Sequence, residues 1–283
     1  MRTIRSIADL HAALRDARRS GQVIGLIPTM GALHEGHLSL LRRAREQCDV
    51  VVMSLFVNPA QFNDAADLAS YPRDEQRDLA LADGAGVDLV FAPAPEEMYP
   101  PGFATTVSVA GLTEPLEGER RGRAHFDGVT TVVTKLLNIV SPDIAYFGQK
   151  DAQQAIVIGR LVADLNIPVR IQVCPTAREP DGLAMSSRNV LLSPDQRSSA
   201  PSLHRALHAI QAAVDAGERD PAAARAHALA ELTSPELELE YLELVSPDTL
   251  APLERFDGEA LAVIAARVGA TRLIDNEVIT GRR

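Results

Sequence analysis

Val50-Val51-Val52-Met53-Ser54-Leu55-Phe56-Val57 is an unbroken apolar run rich in β-branched residues. A strand with one wet face alternates apolar and polar residues. A run without alternation marks a strand covered on both faces, the habit of parallel sheets. Asn58-Pro59 ends it. Just before it lie a second apolar run, Val23-Ile24-Gly25-Leu26-Ile27-Pro28, and a helical pattern from His37 to Gln47. Together these make a β-α-β unit. Further out, Ser6 to Arg19 reads as a helix stopped by Gly21, and Pro72–Ala82 as another. Val87–Phe91 reads as a buried strand and Thr105–Val109 as a short one. Gly128–Val140 follows as a helix, Ile144–Phe147 as a strand, Ala152–Leu165 as a helix and Val169–Val173 as a strand. Repeated strand-helix pairs with continuous apolar strands predict an α/β fold, a Rossmann-like doubly wound parallel sheet over residues 1–175.

The pattern changes near Thr176. Residues 176–193 are polar. Pro194–Ala216 and Pro221–Leu232 read as helices. Leu237–Val245 alternates strictly, and Ala260–Val268 and Arg272–Asp275 complete a set of strands expected to keep one wet face. Residues 176–283 are therefore expected to form a smaller α+β domain.

The chain has 283 residues, 46% of them hydrophobic, enough for a sizeable core. No apolar run reaches the roughly 18–20 residues of a membrane span. Arg2 and Arg5 are followed by Asp9 and His11, which leaves no signal-peptide core. Cys48 and Cys174 are the only cysteines and fall in apolar surroundings, so a reducing cytoplasm is expected rather than a disulfide framework. A net charge of −10 argues against a nucleic-acid partner.

Candidate chemistry centres on His34-Glu35-Gly36-His37, at the junction of the Val23–Pro28 strand and the following helix. Unsatisfied N–H groups and the positive end of the helix dipole favour anions there. Gly36 permits close backbone approach, and His residues three apart share a helix face. Such a pair can donate to oxygens that gain charge as a phosphorus bond breaks. It also suits a metal ion, which needs a third and usually a fourth ligand, and no Cys or further His lies nearby. Lys150, beyond the Ile144–Phe147 strand and beside Gly148, suits a phosphate contact. Lys135 and Lys150 are the only lysines, which favours a specific role for each. Ser186-Ser187-Arg188 offer hydroxyls and a guanidinium for a triphosphate. Gln61 and Gln154 are amides suited to hydroxyls and a carboxylate, though a solvated glutamine is the simpler account of either alone. Asp78 fits an exposed helix face better than a nucleotide or metal. Phe56, Phe62 and Met30 line a pocket or fill the core.

Five segments carry a resemblance to a known family: Pro28-Thr29-Met30-Gly31-Ala32-Leu33-His34-Glu35-Gly36-His37, Phe56-Val57-Asn58-Pro59-Ala60-Gln61-Phe62, Tyr71-Pro72-Arg73, Tyr146-Phe147-Gly148-Gln149-Lys150-Asp151, and Arg178 to Asn189. In that order, they resemble the pantoate–β-alanine ligases (pantothenate synthetases). The His-x-Gly-His element alone marks a larger nucleotidyltransferase superfamily; the five together are specific.

The resemblance implies that pantoate is adenylated by ATP and that β-alanine then displaces AMP to give pantothenate. It implies catalytic roles for His34, His37 and Lys150. ATP would be met by Met30, Gly31, His34, Gly36, His37, Gly148, Gln149, Lys150, Asp151, Ala177, Met185, Ser186, Ser187 and Arg188. Pantoate would be held by Gln61, Gln154, Met30 and Asn58, and β-alanine by Gln61. Mg²⁺ would accompany ATP, with Asp78 its candidate protein ligand. A homodimer and a C-terminal lid are further implications. Three positions depart from the family pattern: Gly122-Arg123-Ala124-His125-Phe126 stands where Arg-Pro-Gly-His-Phe is usual, Ala177 where Val is common, and Ala152 where a larger residue is frequent. A dinucleotide-forming adenylyltransferase would have no need of Asn58-Pro59-Ala60-Gln61 or Gln154. A synthetase acting on transfer RNA would want a less acidic chain and an anticodon-binding extension. A non-enzymatic nucleotide-binding module would tolerate loss of His37 or Lys150.

Overall fold

A computed structural model of the chain describes residues 1–281. Its elements are β1 (Arg2–Ile4), α1 (Ile7–Arg19), β2 (Ile24–Thr29), α2 (Glu35–Gln47), β3 (Val50–Leu55), α3 (Ala65–Ser70), α4 (Glu75–Gly84), β4 (Leu89–Phe91), α5 (Pro95–Met98), α6 (Glu117–Arg121), α7 (Arg123–Val140), β5 (Ile144–Gly148), α8 (Ala152–Asp164), β6 (Arg170–Cys174), α9 (Pro194–Ser199), α10 (Ser202–Asp215), α11 (Pro221–Leu229), β7 (Leu237–Val245), β8 (Glu259–Val268) and β9 (Thr271–Thr280). The chain divides into two compact units. Of the described residues, one comprises 1–148 and 153–174, the other 149–152 and 175–281.

In the first unit six strands pair in the order β1-β4-β3-β2-β5-β6, and every pairing is parallel. The apolar runs sit where their composition demands. Val51, Val52 and Met53 of β3 and Leu26 and Ile27 of β2 are fully buried. Leu40, Leu41 and Ala44 of α2 pack on this sheet with Ile27, Val51 and Met53. At Gly25 an added Cβ would meet the Cys48 sulfur at 2.7 Å and the Tyr146 ring at 3.3 Å, so glycine lets helix and sheet close up. From β2 the chain winds one way to β3 and β4, and later the other way through β5 to β6. The carboxyl ends of β2 and β5 thus flank the topological switch point, where such sheets bind ligands.

In the second unit β7, β8 and β9 form an antiparallel meander. One face carries Ala260, Ala262, Ile264, Ala266, Leu273 and Ile279, which pack with Leu203, Ala206, Leu207 and Ile210 of α10.

Several sequence-based expectations are corrected. Thr105–Val109 is not a strand. Its Val107 is satisfied by side chains instead: the Thr131 hydroxyl accepts from Val107 N at 2.9 Å and the Thr130 hydroxyl donates to Val107 O at 2.5 Å. Residues 194–216 form two helices rather than one, because Pro201 has no N–H to continue the first. Gly128 lies inside α7 rather than at its start, and helix α4 begins at Glu75, capped by Asp74, not at Pro72. Strand β8 has no wet face: all residues from Ala260 to Ala266 are buried. The three-residue β1 was too short to read.

Candidate functional site

The loop after β2 is built around a buried carboxylate. Asp78 of α4 accepts the N–H groups of Ala32 and Leu33, each at 2.8 Å, one on each oxygen. Its neighbour Arg77 donates to Leu33 O at 3.1 Å. Ala32 is held at φ 51°, which costs energy for a non-glycine residue, and Gly31 at φ +85°. A Cβ on Gly31 would approach the Asp78 carboxylate to 2.8 Å. Asp78 is 1% exposed, so the exposed-face expectation for it is wrong. A carboxylate of this kind is a loop-holder, and both its oxygens are engaged.

The loop delivers His34 as the N-cap of α2. His34 Nδ1 accepts from Gly36 N at 3.1 Å, and His37 Nδ1 accepts from His34 N at 3.4 Å. Each histidine does the work usually given to Ser or Glu in a capping box. An Nδ1 that accepts carries no proton, so in each neutral ring the proton sits on Nε2. The rings lie 4.2 Å apart between centroids. Helix α2 thus starts at Glu35, two residues earlier than periodicity alone suggests. Glu35 places a negative charge in that first turn, but it pairs with Arg42, whose hydrogen bond holds the carboxyl below its usual range. Among the described residues, the one cluster of His, Cys, Asp and Glu close enough to hold a metal ion does not include His34 or His37.

The amide pair follows β3. Asn58 is 1% exposed, and every polar atom of its side chain is used: Nδ2 donates to Gln61 Oε1 at 3.0 Å and Gly128 O at 3.1 Å, and Oδ1 accepts from the Tyr99 hydroxyl at 2.7 Å and from Ala60 N at 3.4 Å. Asn58 therefore positions Gln61 instead of reaching outward. Gln61's amide is oriented with its oxygen inward. The turn Pro59–Gln61 rests directly on α7, because a Cβ on Gly128 would meet Ala60 O at 2.3 Å. Burial pushes Tyr99 up to about 12. Lys135 lies over the Phe103 ring, 4.7 Å from its centroid, so its special place is structural. Gln154 is half-buried in the first turn of α8, while its neighbour Gln153 is buried and braces Leu112 and Pro115. Phe56 belongs to the core; Met30 and Phe62 are partly exposed.

In the second unit, the turn Gln149–Asp151 is clamped by Asn276 of β9. Asn276 Nδ2 donates to Gln149 O and Lys150 O, both at 2.9 Å, and its Oδ1 accepts from Gln149 Nε2 at 2.9 Å. Lys150 Nζ lies 3.9 Å from the Asp151 carboxylate. Residues 176–189 form a narrow hairpin bridged at Arg178 and Ala184. Arg178 makes a bidentate pair with Asp275 at 2.6 and 3.0 Å. Met185 N bonds Ala177 O at 2.9 Å, and the Ser186 hydroxyl accepts from Arg188 N at 3.2 Å. The structure thus groups Ala177 with Met185, and Ser186 with Arg188, each half-buried. Sequence reasoning missed Tyr99, Asn276 and the positioning role of Asp78. Their partners lie 41, 127 and 46 residues away in the chain, beyond any local pattern.

Known proteins resemble the chain along its whole length. A family model described as pantoate-beta-alanine ligase matches residues 2–278. A pantothenate synthetase of Moorella thermoacetica is 58% identical over 280 residues, covering 99% of both chains. One from Cereibacter sphaeroides is 53% identical over 273 residues, 96% of this chain and 98% of the relative. Among solved structures, the pantothenate synthetase of Thermus thermophilus matches with a TM-score of 0.92 at 49% identity, over 98% of this chain and 99% of that one. The pantoate-beta-alanine ligase of Francisella tularensis, crystallised with beta-gamma ATP and beta-alanine, matches with a TM-score of 0.80 at 34% identity, over 98% and 97%.

Proposed function

The chain belongs to the pantoate–β-alanine ligase family, and from that membership we propose how its residues perform the family's reaction. The enzyme condenses pantoate with β-alanine at the expense of ATP. In the first step a pantoate carboxylate oxygen attacks the α-phosphorus, and the bond to the bridging oxygen of pyrophosphate breaks. In the second the neutral amine of β-alanine attacks the acyl carbon of pantoyl adenylate. AMP leaves with the C–O bonding pair, and the amine's extra proton goes to solvent.

One observation carries the assignment of roles. The capping geometry fixes both His34 and His37 as Nε2–H donors at the positive end of α2. Such fixed donors stabilise charge developing on phosphate oxygens without reorganising. Lys150, Ser186, Ser187 and Arg188 neutralise the triphosphate and leaving pyrophosphate. Backbone at Met30, Gly31, Gly36, Gly148 and Gln149, with Asp151, Ala177 and Met185, receives the nucleoside and phosphates. Gln61 and Gln154 hold pantoate against Met30; Gln61 also meets β-alanine; Asn58 sets Gln61's orientation. Residues 1–175, Lys150 included, form the nucleotide- and pantoate-binding domain, and residues 176–283 a smaller domain that carries Ser186, Ser187 and Arg188. Mg²⁺ would enter with ATP as part of the substrate and would not be held by Asp78, whose oxygens already serve Ala32 and Leu33. The setting is the cytoplasm and the working form a homodimer. Among the described residues no helix is long and apolar enough to cross a membrane.

The deciding assay supplies ATP, pantoate and β-alanine and measures AMP. AMP release that needs pantoate is expected. Its absence, or its independence of pantoate, would sink the reading.

A further inference from the structure

Strand β9 puts two carboxylates on its core-facing row, between Leu273 and Ile279: Asp275 and Glu277. Asp275 is answered by Arg178. Glu277 is not answered in that way. Its Oε2 is buried and has no hydrogen-bond partner among the described residues. An orphaned carboxylate oxygen is costly unless something cationic meets it.

What faces it is a pair of imidazoles. His204 and His208 sit one turn apart on α10, their ring centroids 4.3 Å apart. One ligand atom from each of His204, His208 and Glu277 lies within 4.8 Å of the others. Residues four apart on a helix present a common face. The helix and strand are held in this relation from outside the cluster. Gln211 Nε2 donates to Thr280 O, and Gln211 Oε1 accepts from Thr280 N, both at 3.1 Å. Burial, with Arg178 and His208 nearby, keeps the His204 pKa below its ordinary value, so its lone pair is available. Arg178, the other cation facing His204, is itself paired with Asp275 at 2.6 Å.

We propose that His204, His208 and Glu277 form a binding site for one divalent transition-metal ion, zinc being the best match to two nitrogens and one carboxylate oxygen. Three such ligands leave a fourth, water-filled position. Tetrahedral coordination at ~2.0–2.1 Å needs the ligand atoms about 3.4 Å apart, which modest side-chain rotation supplies. The ion pins α10 to β9. It also fixes the hairpin above: the Gly182 backbone is so close to His204 that a Cβ there would lie 2.4 Å from Nδ1. This site is separate from the phosphate-handling residues and stands whether or not the roles assigned to them hold.

The test uses the full-length protein after chelator treatment, titrated calorimetrically with Zn²⁺ and followed by absorption with Co²⁺. One equivalent should bind with a dissociation constant below ~0.1 mM, and Co²⁺ should give the visible bands of a four-coordinate site. His208→Ala changes an exposed helix position to a good helix former, so its fold should persist; Glu277→Gln keeps the shape of the third ligand. Each should weaken binding at least about tenfold and abolish the Co²⁺ bands. No binding by the parent protein, or a smaller loss in either variant, overturns the site. That outcome includes metal held by His34 and His37 instead, which neither variant would disturb.

Discussion

Asp78 holds Ala32 in left-handed backbone through a 2.8 Å hydrogen bond that spans 46 residues of chain. The same carboxylate takes Leu33 N, so one buried side chain sets the path into α2. Asp78→Asn can accept only one of those N–H groups and turns an NH₂ toward the other. The expected cost is about 2–3 kcal/mol of stability, the worth of a hydrogen bond to a charged group plus an unsatisfied donor. The KM for ATP should rise with it. A denaturant melt and a KM measurement check both, and an unchanged midpoint would remove Asp78 from the role of loop-holder.

His34 has two separable duties. Asparagine is a good N-cap and can take over the bond from Gly36 N, but it has no group where Nε2–H stands. His34→Asn should therefore melt within about 0.5 kcal/mol of the parent, yet form adenylate ~10²-fold more slowly, the scale of losing a donor to transition-state charge. His37→Ala should lose both, with a similar kinetic deficit and a lower Tm. Single-turnover formation of pantoyl adenylate separates the cases. Wild-type turnover in His34→Asn would leave its imidazole a purely structural cap.

How far the sequence foretold this depends on the range of the interaction that decides each feature. The runs Val50–Val57 and Val23–Pro28 declare buried parallel strands because their signal lies within the run itself. The His34–His37 spacing marked a helix start for the same reason. Thr105–Val109 failed because its composition suits a strand while its actual partners, Thr130 and Thr131, lie on a helix that no local pattern ties to it. Gly128 looked like a helix boundary and proved to be a contact with Ala60. The family resemblance sets Asn58 against pantoate, but its amide is taken up by Gln61, Gly128 and Tyr99, partners that no local pattern names. Asp78, on a helix of weak amphipathic pattern, gave no hint that its acidic group pointed inward.

Asn276 holds Lys150 in place without touching substrate in the proposed scheme. Asn276→Ala removes the donor to Gln149 O and Lys150 O. ATP affinity should fall severalfold and stability by about 1 kcal/mol, the cost of half-buried carbonyls that lose their donor. Lys150→Ala should instead leave Tm near the parent's and cut adenylate formation ~10²-fold. Comparing KM and kcat for the two variants tests the division. Equal kinetic losses with an unaltered Tm in both would contradict a positioning role for Asn276.

Gly128→Ala tests the contact beneath the amide pair. The new methyl would sit 2.3 Å from Ala60 O, and neither α7 nor the Pro59–Gln61 turn can yield cheaply. Overpacking of this kind costs about 1–3 kcal/mol. Because Asn58 and Gln61 ride on that turn, the KM for pantoate should rise more than the KM for ATP. A variant with the parent's melting midpoint and pantoate KM would show that the turn moves freely.

Tyr99 gives a dependence on pH whose sign is fixed by burial. Its pKa is pushed up to about 12 in the folded chain against an ordinary value of 10. The folded state therefore keeps the phenolic proton where the unfolded state releases it. The contribution to stability is fully present below pH 10 and is lost as pH rises from 10 towards 12. Tyr99→Phe removes that titration along with the hydrogen bond to Asn58. The variant should be less stable at neutral pH, and its stability should fall less steeply than the parent's over the alkaline window. Denaturant midpoints at a series of alkaline pH values measure both slopes. Parallel curves would mean that Tyr99 titrates alike in the folded and unfolded chains.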